Sequence, residues 1–137
     1  MKGGRKFTQS FRVPYGHVDR MGVMYYAHHF LYFEMARAAF MREVGLSYDE
    51  MERGGTLLPV IEAHCRYRRP ARYDDEITIR SHCVSVRGPR LRIEYQVLRG
   101  AEVLAVGHTV HVCMSPAGQV LRPDEKLSAL FGREEAS

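Results

Sequence analysis

Alternating apolar and polar residues are the main pattern along the chain, and they predict a protein built largely of β-strands. An alternation with a period of two places apolar side chains on one face of a strand and polar side chains on the other. Five segments have this pattern or a strand-like composition: 7–13, 57–67, 76–86, 91–97 and 104–114. In the last of them, the even-numbered positions from Leu104 to Met114 are predicted to share one face. Gly88-Pro89 and Arg99-Gly100 predict hairpin turns.

A long helix is predicted between the first two strands. Residues 25–44 contain neither Gly nor Pro, and Gly45 follows them as a left-handed C-cap. Apolar side chains cover most of the circumference of this segment, so we expect other parts of the structure to enclose it. Ser47 predicts the cap of a short second helix that ends at Gly54, and Pro123 the first position of a third.

The order of these elements predicts an α+β fold in which one antiparallel sheet curls around one long central helix. No repeat, linker or low-complexity segment interrupts residues 1–137, which we expect to form a single domain. A sheet in a chain of this size leaves an edge strand open. Pairing of two copies along that edge is the expected remedy.

Composition and charge narrow the class of protein. A hydrophobic content of 45% with 26% charged residues is typical of a soluble globular protein. No apolar run approaches the roughly 18 residues of a membrane span. The basic N-terminus continues into Phe7-Thr8 without an apolar segment, so we expect no secretory signal and a cytoplasmic location. A net charge of +4 is too small by itself to indicate nucleic-acid binding, although Arg, which suits phosphate and carboxylate, supplies most of the basic residues.

The cysteines and histidines do not predict a metal site. Cys65, Cys83 and Cys113 are widely spaced and form no C-x-x-C pair, so we expect each to be a small buried residue on a strand. His108 and His111 are three apart on a strand, which places them on opposite faces. The adjacent His28 and His29 point in different directions on a helix.

The connection between the first strand and the long helix is the most informative segment for chemistry. It carries a carboxylate, Asp19, just before a helix whose first backbone N–H groups have no partner within the helix. Such donors can stabilise a developing oxyanion, and Gly22 lets the backbone approach a ligand closely. The spacing alone favours a structural interpretation, in which Asp19 is a loop or capping carboxylate and Gly22 is an ordinary turn.

Two sequence blocks resemble the 4-hydroxybenzoyl-CoA thioesterase family, whose hotdog-fold members include short-chain acyl-CoA thioesterases of bacterial cell-envelope gene clusters. The first block is Asp19-x-x-Gly22-Val23-x-Tyr25-Tyr26 with the aromatic-rich helix after it, and the second runs from Leu58-Pro59 to Ile79. The resemblance covers about residues 7–114. It implies hydrolysis of an acyl-CoA thioester to a free acid and coenzyme A.

Residue roles follow from this resemblance position by position. Asp19 corresponds to the catalytic carboxylate, which attacks the thioester carbonyl or activates a water molecule. The backbone N–H of Tyr26 corresponds to the oxyanion donor, at a position where many relatives have histidine. His17 stands where relatives often have an acidic or hydroxyl residue, so it is a candidate for tuning Asp19 or holding water.

The resemblance also implies where substrate binds. Gly22, Val23, Leu58 and Pro59 are the candidate substrate-binding residues. The many Arg residues could bind the phosphates of coenzyme A. Two groups are candidates for this: Arg87 and Arg90 beside the Gly88-Pro89 turn, and the cluster Arg66, Arg68, Arg69 and Arg72. We expect a homodimer or homotetramer with sites between protomers, and neither a metal nor a cofactor apart from the coenzyme A of the substrate.

Two other functions remain open at this point. A hotdog dehydratase or hydratase of hydroxyacyl thioesters pairs a carboxylate with a histidine, and His17 or His28 keeps this alternative. A non-catalytic module that binds acyl-CoA or acyl carrier protein is the second. A nucleic-acid binder is disfavoured, because the aromatic residues are predicted in the helix core and on strand faces. The Tyr73-Asp74-Asp75 block is predicted to be a structural turn.

Overall fold

A seven-stranded sheet and one long helix dominate the computed structural model, which describes residues 4–133. The strands are β1 Lys6–Arg12, β2 Val60–Tyr67, β3 Glu76–Arg87, β4 Arg90–Arg99, β5 Glu102–Met114, β6 Val120–Leu121 and β7 Gly132–Arg133. The helices are α1 His28–Glu43, α2 Tyr48–Arg53 and α3 Glu125–Ser128, and a single 3₁₀ turn covers Tyr15–His17. The five long strands match the five predicted segments.

The long strands form an antiparallel sheet in the order β1-β3-β4-β5-β2. The hairpins between β3 and β4 and between β4 and β5 turn at Gly88 and Gly100, both of which have positive φ, as predicted. A register shift between Val97 and Leu98 changes which side chains of β5 face the helix. As a result, Thr109 and His111 are buried. Of the even-numbered positions that we predicted to share one face, Leu104 is fully buried in the core, whereas Val106, His108 and Met114 are partly exposed.

Helix α1 packs against the inner face of the sheet through aromatic side chains. Phe33 stacks on Tyr95 with ring centroids 4.3 Å apart, and Phe40 stacks on Phe7 at 4.5 Å. Gly107 makes this approach possible, because a Cβ there would lie 2.8 Å from the Phe33 ring. These contacts confirm the predicted α+β architecture.

The prediction that other structure encloses α1 on all sides is wrong for the single chain. Its buried residues follow one face at helical spacing, whereas Leu31 and Ala38 on the opposite side are partly exposed and Arg42 is exposed. The sheet therefore covers only one side of the helix.

The ends of the helices differ from the predicted ones in part. Helix α1 begins at His28 instead of residue 25, and it ends before Gly45, whose φ of +77° gives the predicted left-handed C-cap. The Ser47 hydroxyl accepts a hydrogen bond from the Glu50 N–H at 3.3 Å and caps α2, as predicted. The cap of α3 is Asp124, which accepts from the Leu127 N–H, so Pro123 precedes the cap and is not the first helical residue.

Strand β2 is an open edge of the sheet. Among residues 4–133 it pairs only with β5, and seven of its eight residues are exposed. The exposed side chains include Val60 and Ile61, at 45% and 48%. The opposite edge, β1, presents Lys6, Thr8, Ser10 and Arg12 to solvent. Edge β2 is therefore the better candidate for pairing with another strand, because charged and polar side chains protect β1.

None of the helices among residues 4–133 has the length and apolar character needed to cross a membrane. Cys83 and Cys113 are buried on strands, as predicted, and Cys65 on β2 is half-buried.

Candidate active site

Asp19 lies in a compact loop between β1 and α1. Antiparallel bridging of Val18 with Met24 closes the loop, and Gly22 turns it with a φ of +77°. The Asp19 Oδ1 atom accepts a hydrogen bond from the Met21 N–H at 2.8 Å and a longer one from the Val23 N–H at 3.4 Å. The second carboxylate oxygen has no hydrogen-bond partner among the described residues, and the residue is exposed. The loop thus holds the carboxylate through one oxygen and leaves the other available.

Within the described part of the chain, the N–H group of Tyr26 is a free donor beside this loop. The first amides of α1 are already bonded, since His28 N–H donates to the Tyr25 carbonyl and His29 N–H to the Tyr26 carbonyl. Among residues 4–133, nothing accepts from the Tyr26 N–H. Because a trans peptide unit directs its C=O and N–H oppositely, a Tyr25 carbonyl bonded into the helix points the Tyr26 N–H away from it.

The Tyr26 carbonyl is held by two side chains in addition to the helix. The Tyr67 hydroxyl donates to it at 2.8 Å, and His29 Nδ1 lies 2.9 Å from it. Burial raises the pKa of Tyr67 to about 12, so its hydroxyl keeps its proton at neutral pH. These two contacts also orient the peptide unit that joins Tyr26 to Ala27, and they direct the Ala27 N–H out of the helix.

Neither candidate histidine is bonded to Asp19. His17 Nδ1 lies 2.7 Å from the Tyr32 hydroxyl, and its ring lies 4.7 Å from that of His28. Burial, followed by the repulsion of His28, lowers the pKa of His17. His17 thus anchors the loop to α1 through Tyr32. As predicted, His28 and His29 point in different directions, with His29 buried.

A cavity of about 280 Å³ opens beside Tyr26. Tyr67 and Pro70 line it, and so do two cationic side chains, Arg68 and Arg69. Arg69 also forms an ion pair with Glu102 at 3.1 Å. The predicted turn nearby is confirmed, because Asp75 accepts a hydrogen bond from the Arg72 N–H at 2.8 Å.

Four other candidate site residues, Leu58, Pro59, Arg87 and Arg90, lie at the opposite end of the sheet. Leu58 and Pro59 directly precede β2, whereas Tyr67 next to Tyr26 ends it. Eight strand residues at about 3.3 Å each separate the two ends by roughly 25 Å. Arg87 and Arg90 face each other across the β3–β4 hairpin at the Leu58 end. One chain therefore divides the predicted site into an Asp19 end and a Leu58 end.

A buried chain of hydrogen bonds that the sequence analysis missed starts at Arg37 and reaches Leu58. Arg37 Nη1 donates to the Tyr95 hydroxyl at 3.1 Å, which lies 2.8 Å from the Thr109 hydroxyl. Thr109 lies 2.8 Å from His111 Nε2, and His111 Nδ1 lies 3.2 Å from the Leu58 carbonyl. With His111 neutral, each group donates to the next, and the chain fixes the segment before β2.

We expect His111 to make the stability of the protein depend on pH. Burial, assisted by the charge of Arg37, lowers the pKa of His111 from 6.5 to about 4. The unfolded chain therefore binds more protons between these two pH values. The contribution of neutral His111 is complete above pH 6.5 and is lost as the pH falls towards 4, with a total of about 3 kcal/mol.

Urea denaturation at a series of pH values from 4 to 7 measures this effect. In His111→Gln, which keeps hydrogen-bonding groups but does not titrate, the free energy of unfolding should change less steeply with pH. A shallower slope should remain, because burial also lowers the pKa values of His17 and His29. Equal slopes in the two proteins would contradict the assignment to His111.

In the described part of the chain, no group of three or more His, Cys, Asp or Glu side chains is placed to hold a metal ion.

Comparison with known proteins finds relatives over most of the chain. The acyl-CoA thioester hydrolase YbgC of Escherichia coli O6:H1 is 31% identical over 107 residues, which are 73% of this chain and 80% of that protein. A 1,4-dihydroxy-2-naphthoyl-CoA hydrolase of Synechococcus elongatus is 25% identical over 104 residues, or 74% of this chain and 76% of that protein.

Solved structures also match the fold of this chain. A crystal structure of a hypothetical protein from Aquifex aeolicus matches with a TM-score of 0.86 at 27% identity, and the match covers 90% of this chain and 98% of that one. The sequence profile of the thioesterase-like superfamily matches residues 13–130. The predicted hotdog fold is thereby confirmed, and the chain belongs to the thioesterase-like superfamily.

Proposed function

We propose that this protein hydrolyses acyl-CoA thioesters, with Asp19 and the Tyr26 N–H as the catalytic groups. The observation that carries the proposal is the free Tyr26 N–H, directed out of the helix beside a loop that leaves one Asp19 oxygen available. The names of the two curated relatives, a thioester hydrolase and an acyl-CoA hydrolase, support the same reaction.

The chemistry needs only these groups and water. In one route, an Asp19 oxygen bonds to the acyl carbon, the carbon–sulfur bond breaks, and water then cleaves the mixed anhydride. In the other, Asp19 takes a proton from a water molecule whose oxygen bonds to the acyl carbon directly. Both routes consume one water molecule and release a free acid and the thiol of coenzyme A. A donor such as the Tyr26 N–H typically contributes a factor of about a hundred to a thousand in rate.

The complete site in this proposal is formed by two protomers of a homodimer, which two dimers can repeat as a tetramer. Two β2 edges that pair antiparallel about a twofold axis place the end of one strand beside the beginning of the other. The Asp19 end of one protomer then meets the Leu58 end of its partner. Exposed Val60 and Ile61 provide apolar surface for this pairing.

The two Arg groups then lie near one substrate. Arg87 and Arg90 come with the Leu58 end, and Arg68 and Arg69 line the cavity beside Tyr26. Guanidinium groups suit the pyrophosphate and the additional phosphate of coenzyme A. A cytoplasmic location is part of the proposal, because three unpaired cysteines are typical of a reducing compartment.

Thiol release from a panel of acyl-CoA esters tests the proposed function. We expect free coenzyme A and free acid to appear in equal amounts with at least one ester. A dehydratase acting on hydroxyacyl thioesters would give an unsaturated thioester and no thiol, and a binding module would give no product. The bond of His17 to Tyr32 favours the hydrolase over the dehydratase, because it leaves Asp19 without a histidine partner.

A further inference from the structure

A cavity of about 440 Å³ lies at the Leu58 end of the sheet. Its walls are mostly apolar and include Leu57, Leu58, Pro59, Met51 and Met114. Five polar or charged residues also line it, and two of them, Arg37 of α1 and Tyr48 of α2, are hydrogen-bonded to each other. Arg37 is 6% exposed, so this cavity contains a desolvated positive charge.

The buried guanidinium has only neutral partners in the described structure. Arg37 Nε donates to the Tyr48 hydroxyl at 2.7 Å, and Nη1 donates to the Tyr95 hydroxyl at 3.1 Å. No described carboxylate lies within ion-pair distance of it. Because desolvating a charge is costly unless an opposite charge compensates it, an unpaired buried Arg is an unfavourable arrangement for stability alone.

Two hydrogen-bond donors at this position are unused. Arg37 Nη2 has no acceptor among residues 4–133. The Tyr48 hydroxyl accepts from Arg37 and retains its own hydrogen, for which no acceptor is present among the same residues. Burial raises the pKa of Tyr48, so this hydroxyl remains protonated and able to donate. The Tyr95 hydroxyl differs, because it donates onward to Thr109.

We propose that Arg37 and Tyr48 bind a carboxylate at the far end of the substrate acyl group, which makes the preferred substrates ω-carboxyacyl-CoA esters. The inference rests on the proposed function, in which this cavity meets the Asp19 loop of the partner protomer. A carboxylate presents two oxygens to two converging donors and supplies the charge that Arg37 lacks. The apolar walls suit the methylene or aromatic segment between the carboxylate and the thioester.

Two acidic residues at the cavity do not oppose this assignment. Glu34 and Glu52 line it as well, but both are exposed to solvent. Their charges are therefore screened by water and salt, whereas the charge of Arg37 is not. We expect Glu34→Gln to raise the preference for carboxylated substrates modestly.

Matched pairs of substrates test the proposal. Each pair has the same carbon skeleton and differs only in a terminal carboxylate or methyl group, as in adipyl-CoA against hexanoyl-CoA and 4-carboxybenzoyl-CoA against 4-methylbenzoyl-CoA. Charge-assisted hydrogen bonds predict at least about a tenfold higher kcat/KM for the carboxylate of a pair that fits, expressed mainly in KM. Equal rates, or a preference for the methyl member in every pair, would overturn it.

Variants connect the preference to the two donors. Tyr48→Phe removes one hydroxyl without changing the ring and should reduce the preference by a few fold. Arg37→Met should abolish it, with the preference measured as the ratio of kcat/KM between the two members of each pair within the same variant. Arg42→Met, an exposed position on the same helix, is the matched control and should keep the full preference. A preference that survives both Tyr48→Phe and Arg37→Met would place the carboxylate elsewhere.

Binding measurements separate this inference from the proposed function. Thioether analogues of the same pairs resist hydrolysis, and calorimetry gives their affinities for the wild-type dimer. Tighter binding of the carboxylate members, lost in Tyr48→Phe, supports the subsite even if no ester releases thiol. Thiol release without any difference in affinity would retain the hydrolase and remove the subsite. Because Tyr48→Phe leaves Arg37 in place, the test does not depend on the folding of Arg37→Met.

Discussion

Asp19→Asn should lower the rate of thiol release by roughly 10²–10⁴-fold while leaving the affinity for substrate nearly unchanged. The substitution replaces one carboxylate oxygen with an amide nitrogen that is neither a nucleophile nor a base at neutral pH. Turnover is therefore lost whether Asp19 attacks the thioester itself or activates a water molecule.

The local structure predicts that this substitution keeps the shape of the Asp19 loop. Asp19 Oδ1 accepts the hydrogen bonds of the Met21 and Val23 N–H groups, and the Oδ1 of an Asn side chain accepts the same two bonds. The loop should therefore keep its shape, and the Tyr26 N–H its direction. Only the oxygen that has no partner in the described structure is changed.

The measurements are the kcat for thiol release and the affinity for a thioether analogue of the best ester. Glu76→Gln is the matched control, because it removes one exposed carboxylate at the same end of the sheet. Its ion pair with Arg12, at 3.8 Å between side chains that are more than half exposed, contributes little to stability. A wild-type rate of thiol release in Asp19→Asn would exclude the catalytic assignment, whereas weakened binding alone would point to a structural role.

The strands and their hairpins could be predicted because local patterns determine them. Ile77, Ile79 and Ser81 of β3 alternate with polar residues, and each is fully buried in the structure. The inner face of β5 was not predictable in this way. A register shift at Leu98 decides which residues face the helix, and the local sequence gives no sign of that shift.

The start of α1 shows why the site could be predicted only in outline. Residues 25–27 contain nothing that excludes a helix, yet they form a turn in which Tyr67 and His29 hold the Tyr26 carbonyl. Tyr67 lies forty-one positions further along the chain, so its contact depends on the whole fold. The loop carboxylate was visible in the sequence, but the direction of the Tyr26 N–H was not.

The buried hydrogen-bond chain had a signal that was available in the sequence. Arg37 interrupts an apolar face that contains Phe33, Ala36 and Phe40. A charged residue at such a position needs partners from other elements. Tyr95 is bonded to Arg37 directly, and Thr109 is bonded to Tyr95. The sequence predicts that partners exist, whereas their identity depends on the packing of α1 on β4 and β5.

Mixing two inactive variants should restore activity if the active site is shared between protomers. Asp19→Asn removes the proposed catalytic carboxylate at the Asp19 end of the sheet. Leu58→Trp obstructs the cavity at the other end, roughly 25 Å away along β2. Each homodimer then has two defective sites. A mixed dimer has one site with both defects and one with neither.

Random mixing of equal amounts should recover roughly a quarter of the wild-type activity, because half of the dimers are mixed and each has one intact site. The two variants carry different affinity tags and are expressed together, so that mixed dimers can be isolated and their thiol release measured. Circular dichroism and size-exclusion chromatography of each variant alone first establish that both fold and pair.

The result discriminates between two arrangements: an active site formed within one chain and an active site shared between two protomers. If one chain formed its own site, every site in a mixed dimer would carry a defect, and purified mixed dimers would stay inactive. Recovery requires that the Asp19 end of one protomer and the Leu58 end of its partner meet. The exposed β2 edge, with Val60 and Ile61 uncovered, is the surface that we propose for this pairing.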